Sequence, residues 1–168
     1  MSKITKITHN VQQPEDINKL CIMAGGIIGE ECWQAKFLTN GDELILDFGV
    51  KIPLVSDPGK SIGAWFLESW GTDWKLISSD EILTSSDDMA ERINEGIQAI
   101  VNCTVFEFEI HYPTLALSIT FSNNNEFMII PNPEDDEFTT SYWDLYTPQH
   151  NIYVGPGAKW SYEEFPDK

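Results

Sequence analysis

The chain has 168 residues, 42% hydrophobic and 12% aromatic, which suffices for one globular domain and excludes an acidic disordered tail, because such tails lack aromatics. Its 27 acidic residues against 10 basic ones give a formal net charge of −17, which opposes binding to nucleic acid or anionic membranes and favours steering toward a basic partner. No run approaches the roughly 18 to 20 consecutive apolar residues of a membrane helix, and the start "MSKITKITHNVQQPED" lacks the apolar core of a signal peptide, so a soluble, cytoplasmic protein is expected.

In chain order, the first residues, His9 among them, read as an unstructured terminus. "QPEDINKLCIMAGG" then predicts a helix: Pro14 suits its first turn, Glu15 and Asp16 favour its positive end, and Ile17, Leu20, Cys21 and Ala24 recur at helical spacing before Gly25. Leu44, Leu46 and Phe48 alternate in "ELILDFG", the pattern of a strand with one buried face, and "VKIPLVSDPGKS" reads as a long loop. "GAWFLES" and "WKLIS" follow as strands around the turn signal "SWGTD". "SSDDMAERINEGIQAIVN" predicts a second helix, with Ser85 or Ser86 as N-cap and Met89, Ile93, Ile97, Ile100 and Val101 as its apolar stripe. Beyond it, Phe106, Phe108 and Ile110 alternate, as do Leu117, Ile119 and Phe121, and "EFMIIP", "YWDLYT" and "NIYVG" complete the strands.

The two halves share an order of helix, strand, "LxLxF" strand, apolar strand, Trp-led strand and short final strand. Trp74 and Trp143 both open Trp-x-Leu segments that turn and resume in a strand fragment. The expected fold is therefore α+β, a predominantly antiparallel sheet with two helices. It is one domain over 1–168, built from two pseudo-equivalent units of about 14–84 and 86–160, each closed by its own Trp-led hairpin.

Sites of chemistry are sparse. His9, His111 and His150 form no HxxxH or HExxH pair and Cys21, Cys32 and Cys103 form no CxxC, so no metal is expected. The three cysteines, odd in number and in apolar surroundings, read as buried small hydrophobes, not a disulfide framework. "AGGIIGEE" and "GPGAKW" lack the spacing and Lys-Ser/Thr pair of a phosphate loop, and no G-x-S-x-G elbow occurs. The expectation is a non-enzyme without a cofactor. Charge is the informative feature instead: no Lys or Arg lies between Arg92 and Lys159, a window that holds the run Glu134, Asp135, Asp136 and Glu137 as well as Asp144.

The succession of "LxLxFG", "GAWFL", a Trp-led strand, a second helix, "FEFEI", "LALSITFSNNNEFMIIP" and "YWDLYTP" resembles small bacterial proteins found among polymorphic-toxin immunity proteins. The resemblance spans residues 14 to 160 and implies, by class alone, neutralisation of a cognate toxin domain by direct binding. A basic nuclease would suit the acidity. Contact candidates are then Glu134, Asp135, Asp136, Glu137 and Asp144, with Tyr142 and Trp70 as apolar anchors, Trp70 being the tryptophan expected to be exposed. The alternative is a non-catalytic structural or oligomerisation protein whose acidity serves solubility.

Overall fold

Period-two alternation governs most of the chain. The structure, a computed structural model that describes residues 4–40, 42–135 and 141–165, accordingly holds twelve strands among those residues. They are β1 (Thr5–Asn10), β2 (Glu31–Leu38), β3 (Glu43–Pro53), β4 (Ser61–Trp70), β5 (Asp73–Ser78), β6 (Glu81–Ser85), β7 (Cys103–His111), β8 (Ala116–Phe121), β9 (Glu126–Ile130), β10 (Trp143–Tyr146), β11 (His150–Gly155) and β12 (Lys159–Glu164). Two short helices interrupt them: α1 (Asn18–Gly25), entered through a 3-10 turn over Pro14–Ile17, and α2 (Ala90–Gly96), which runs on into a 3-10 turn over Ile97–Ile100. The fold is α+β, mostly antiparallel sheet with two helices.

The strands follow the order β1-β12-β11-β10-β4-β3-β2-β7-β8-β9-β5-β6, and every pairing is antiparallel. The centre of this array is its narrowest junction, since β2 meets β7 only at Glu31↔Thr104 and Cys32↔Cys103. Past that point the strands diverge, and α2 with the 3-10 turn that follows it serves the freed edge of β2. Asn94 accepts from the Phe37 N–H at 3.0 Å and donates to the Phe37 carbonyl at 3.3 Å, while Gln98 donates to the Ala35 carbonyl at 3.0 Å. The buried side chains of both sheet halves form one core, across which Phe48 stacks on Phe121 at 6.5 Å and Phe108 meets the edge of Trp143 at 6.3 Å. Trp143 is wholly buried and its Nε1 donates to the Leu115 carbonyl at 3.0 Å.

Several expectations are corrected. The N-terminus is ordered from Thr5 onward: β1 pairs along β12, and His9 stacks on Trp160 at 4.4 Å, giving the terminus an apolar surface to cover. The second helix starts at Ala90, not at Ser85 or Ser86. Asp88 draws the preceding residues into a turn by accepting from the Ser85 N–H and the Thr84 hydroxyl, which leaves Met89 outside the helix and exposed. Phe106 does not alternate inward, because a bulge between Val105 and Glu107 sends Val105 to the core and Phe106 to solvent. Cys32 is buried but Cys21 is exposed. The segment read as a loop after Phe48 prolongs β3 to Pro53, paired with Ser61 of β4.

The largest correction concerns the Trp-led hairpins. Neither closes its own half: β10–β11 adds to β4, and β5–β6 adds to β9. Gly71, in the left-handed region at φ 62°, and Thr72 turn the chain from β4 out into the far half. There Trp74 packs on Phe127 at 5.8 Å.

Candidate functional site

Alternation sorts β4 and β10 into two faces. Trp65 and Leu67 of the one, and Trp143 and Leu145 of the other, go to the core, so Phe66, Glu68, Asp144 and Tyr146 face the opposite way. The antiparallel register sets Asp144 against Glu68 and Tyr146 against Phe66, and β11 sets Tyr153 against Asp144 on the other flank. Two carboxyls thus meet across a strand junction, only 7% and 4% exposed for Glu68 and Asp144.

Both carboxyls have partners. The Tyr146 hydroxyl donates to Glu68 Oε1 at 2.8 Å and the Ser141 hydroxyl donates to Asp144 Oδ1 at 2.5 Å. Their interaction with each other raises Glu68 and lowers Asp144, so a proton held by the pair resides on Glu68 first. Burial supplies the main reason that the proton stays: it pushes Glu68 up to about 7, with help from the Asp144 and Glu43 charges, and Asp144 up to about 6. Lys6 pulls Asp144 slightly back. The pair titrates as a unit, and near neutral pH it stands between one and two negative charges.

Aromatic rings wall this seam. Phe66 and Tyr146 lie 5.6 Å apart and Tyr153 meets the edge of Tyr146 at 6.1 Å. The Tyr153 hydroxyl donates to Glu163 Oε2 at 3.2 Å, and burial together with the Glu163 charge raises its pKa to about 12. Burial and the hydrogen bond to Glu68 raise Tyr146 as well. Both phenols therefore remain donors at physiological pH. Lys6 Nζ sits 5.1 Å from the Tyr153 ring centroid, a first indication of the chemistry this surface suits: carboxylates beside π faces accommodate a guanidinium or an ammonium group.

The predicted contact residues fall around this seam in different ways. Asp144 forms half of it and is buried. Tyr142 is buried too, donating its hydroxyl to the Asn132 carbonyl at 2.9 Å and accepting at its own carbonyl from the Ser69 hydroxyl at 2.7 Å. Trp70 ends β4 on the same side as Glu68 and is half-buried, not fully exposed. Glu134 is exposed and Asp135 half-buried in a turn that Asn132 closes, its carbonyl accepting from the Asp135 N–H and its side chain from the Glu134 N–H. Asp136 and Glu137 lie outside the described residues. The structure thus gathers Asp144, Tyr142 and Trp70 at one strand junction and sets Asp135 near enough for its charge to raise the Tyr142 pKa, second to burial.

Glu68, Phe66, Tyr146 and Tyr153 escaped the sequence reading. Alternation in "AWFLES" and "YWDLY" does give the faces of the first three. What it does not give is the pairing of β4 with β10, which brings Glu68 to a tyrosine 78 residues away.

No family model matches this chain, nor does any curated protein or solved structure. Among the described residues, no group of three or more His, Cys, Asp or Glu side chains is placed to hold a metal ion, and no helix is long and apolar enough to cross a membrane.

Proposed function

We propose that this protein is a non-enzymatic, cytoplasmic immunity protein that inhibits a basic toxin domain by direct binding, using the β4–β10 carboxylate seam and the acidic turn beside it. We further propose that the chain is a duplication, units of about 14–84 and 86–160, with the two closing hairpins exchanged. The registers support that reading. In β2–β3, Cys32↔Phe48 is followed by a bulge and then by Gln34↔Asp47 through Leu38↔Glu43. In β7–β8, Val105↔Phe121 is followed by the same bulge and then by Glu107↔Thr120 through His111↔Ala116, a constant displacement of 73. Leu46↔Leu67 corresponds to Ile119↔Phe127, with displacements of 73 in the first strand and 60 in the second. The sheet order then reads the same from both sides of the β2–β7 junction, with β10–β11 and β5–β6 as the exchanged pieces and β12 and β1 as additions at one end.

The observation that carries the functional proposal follows from this correspondence. Where one half sets Asp144 against Glu68 and Tyr146 against Phe66, the other sets Lys75 against Met128 and Ile77 against Glu126. The same junction forms without a carboxylate pair, so the fold does not require one. Burying two like charges costs stability, and a costly feature beyond the needs of the fold points to a ligand, here a cation. A partner's arginine would lie on the Phe66 and Tyr146 rings and bond the carboxylates bidentately, displacing the shared proton. The surrounding −17 field would speed the encounter and stand in for substrate phosphates.

Self-association through a free strand edge is less well supported. The outer edge of β6 carries exposed Ile82 and Leu83, but a bulge falls between Ile82 and Thr84, and Asp88 takes up the Ser85 N–H. Edges so blunted resist strand addition.

The test is co-expression with the C-terminal domain of any large secreted protein encoded beside this chain's gene. A complex is expected whose affinity falls as salt rises, falls about tenfold or more in the double variant Glu68→Gln, Asp144→Asn, and forms with net release of protons near pH 7. A complex indifferent to salt and to the double variant would refute the seam, and the absence of any complex would refute the inhibitor.

A further inference from the structure

A second surface carries the opposite charge. The chain has ten basic residues in all, yet three lysines, Lys36, Lys51 and Lys60, line a single cavity of about 460 Å³ together with Trp33, Gln34 and Ser61. No carboxylate lines it. We infer that this cavity is a binding site for a dianionic oxyanion, a phosphate group or a dicarboxylate.

The site is assembled by three local features. The bulge between Cys32 and Gln34 turns Trp33 out of the alternation of β2, leaving Gln34 and Lys36 on the face away from buried Ala35 and Phe37. The prolonged β3 brings Lys51 opposite Gly63, and Lys51 Nζ sits 4.8 Å from the centroid of the Trp33 ring. The connection between β3 and β4 is closed by backbone bonds from the Leu54 N–H to the Lys60 carbonyl and from the Lys60 N–H to the Asp57 carbonyl, which carry Lys60 and Ser61 to the rim.

Two observations point to an anion. Trp33 Nε1, a donor only, is shielded from water and has no acceptor among the described residues. An unmatched buried donor costs on the order of 1 to 3 kcal/mol, and an oxyanion entering beside Lys51, which lies over the same ring, would provide the acceptor once the indole N–H is uncovered. Charge is the other. At the positions matched in register, β7 carries Phe106, Glu107 and Glu109 where β2 carries Trp33, Gln34 and Lys36. The strand geometry therefore accepts acids at these positions, and in a chain this acidic a cavity lined by three lysines and no carboxylate is not a fold requirement. The register comparison rests on the proposed duplication, whereas the cavity and the unmatched indole stand without it. Two acids stand behind the lysines without lining the cavity: Asp57 pairs with Lys60 at 3.7 Å on the exposed rim, and buried Asp47, which accepts from the Gly63 N–H at 2.8 Å, lies within reach of the Lys36 charge. Three cations favour a dianion over a monocarboxylate.

The test follows the indole N–H resonances of the full chain by NMR, with Trp33 assigned through Trp33→Phe. Inorganic phosphate and succinate are titrated separately against sodium chloride at matched ionic strength. A saturable shift of the Trp33 N–H with phosphate alone identifies a phosphate site, with succinate alone a dicarboxylate site, and with both a general oxyanion site. Lys51→Gln and Lys36→Gln should each weaken the response about tenfold, and Lys75→Gln on the far half should leave it unchanged. A Trp33 resonance that neither probe moves, or that chloride moves equally, overturns the inference, as does full affinity in both lysine variants. None of these readouts depends on a toxin partner, so failure here and failure of the inhibitor reading are separable.

Discussion

Neutralising one carboxyl of the seam by Glu68→Gln should raise stability in a pH-dependent way. The folded-state pKa of Glu68 is raised from its ordinary 4.5 to about 7, so between those values the folded protein holds a proton that the unfolded chain has lost. Stability from this group is therefore highest at low pH, falls as pH rises through the window, and stays reduced above about 7. At about 1.4 kcal/mol per pH unit the full cost would be about 3.5 kcal/mol. Solvent at the rim and the sharing of one proton with Asp144 reduce that to about 1.5 kcal/mol. Burial sets the sign and the groups facing Glu68 modify it: the Tyr146 hydroxyl favours its charged form, Asp144 and Glu43 repel it, and Lys6 acts on the Asp144 side. Glutamine keeps the acceptor for Tyr146 and removes the charge. For a domain of this size 1.5 kcal/mol corresponds to a Tm increase of about 3 to 6 °C, expected at pH 8 and vanishing only below the ordinary value of 4.5, by about pH 4. Thermal unfolding of both proteins across that range isolates the effect, because the general self-repulsion of the acidic chain is common to both and largely cancels. A variant whose Tm runs parallel to the parent at all pH values, or falls below it at pH 8, would refute the carboxylate-pair argument.

Two further outcomes test the fold. Gly63→Ala should cost more than about 3 kcal/mol in urea unfolding, because a Cβ there would stand 2.6 Å from the Trp65 carbonyl oxygen and 2.7 Å from the Phe48 backbone N and O, none of which can swing aside. A thiol reagent should modify exposed Cys21 in the native protein and reach Cys32 only on unfolding, since burial removes Cys32 from solvent and pushes its thiol up to about 12; mass mapping of the labelled peptides reads the order.

What was legible in the sequence was local. Leu44, Leu46 and Phe48, and again Leu117, Ile119 and Phe121, announce one-sided strands, and both triplets are buried. Ile93, Ile97 and Ile100 announce an apolar helix face, also buried. Bulges were not legible. Alternation read straight through Phe106 because nothing in "VFEFEI" marks the residue that drops out of the ladder. The N-terminal strand was missed because "TKITHN" has little apolar content: β1 follows an edge that β12 provides, and its order comes from pairing and from His9 on Trp160. The seam was invisible for a related reason. Glu68 and Asp144 each look like one acid among many, and only the β4–β10 pairing makes them neighbours.

That pairing also ties the seam to the integrity of the whole chain. Each Trp-led hairpin completes the sheet of the opposite half, β10 on β4 and β5 on β9. The contacts that hold the halves together are thus long-range ladders, and they add to a single shared core. Glu68 and Asp144 sit on one of these two ladders, so their repulsion acts where a long-range connection is made, and its relief is felt as global stability. A partner cation that replaces the shared proton would remove the cost that burial imposes on the charged pair, and binding that favours only the folded form stabilises it by mass action. The gain should be greatest above pH 7, where the unliganded pair has lost its proton and the junction is weakest. Cation binding at the seam and the pairing of β10 with β4 would then draw on the same electrostatic contact.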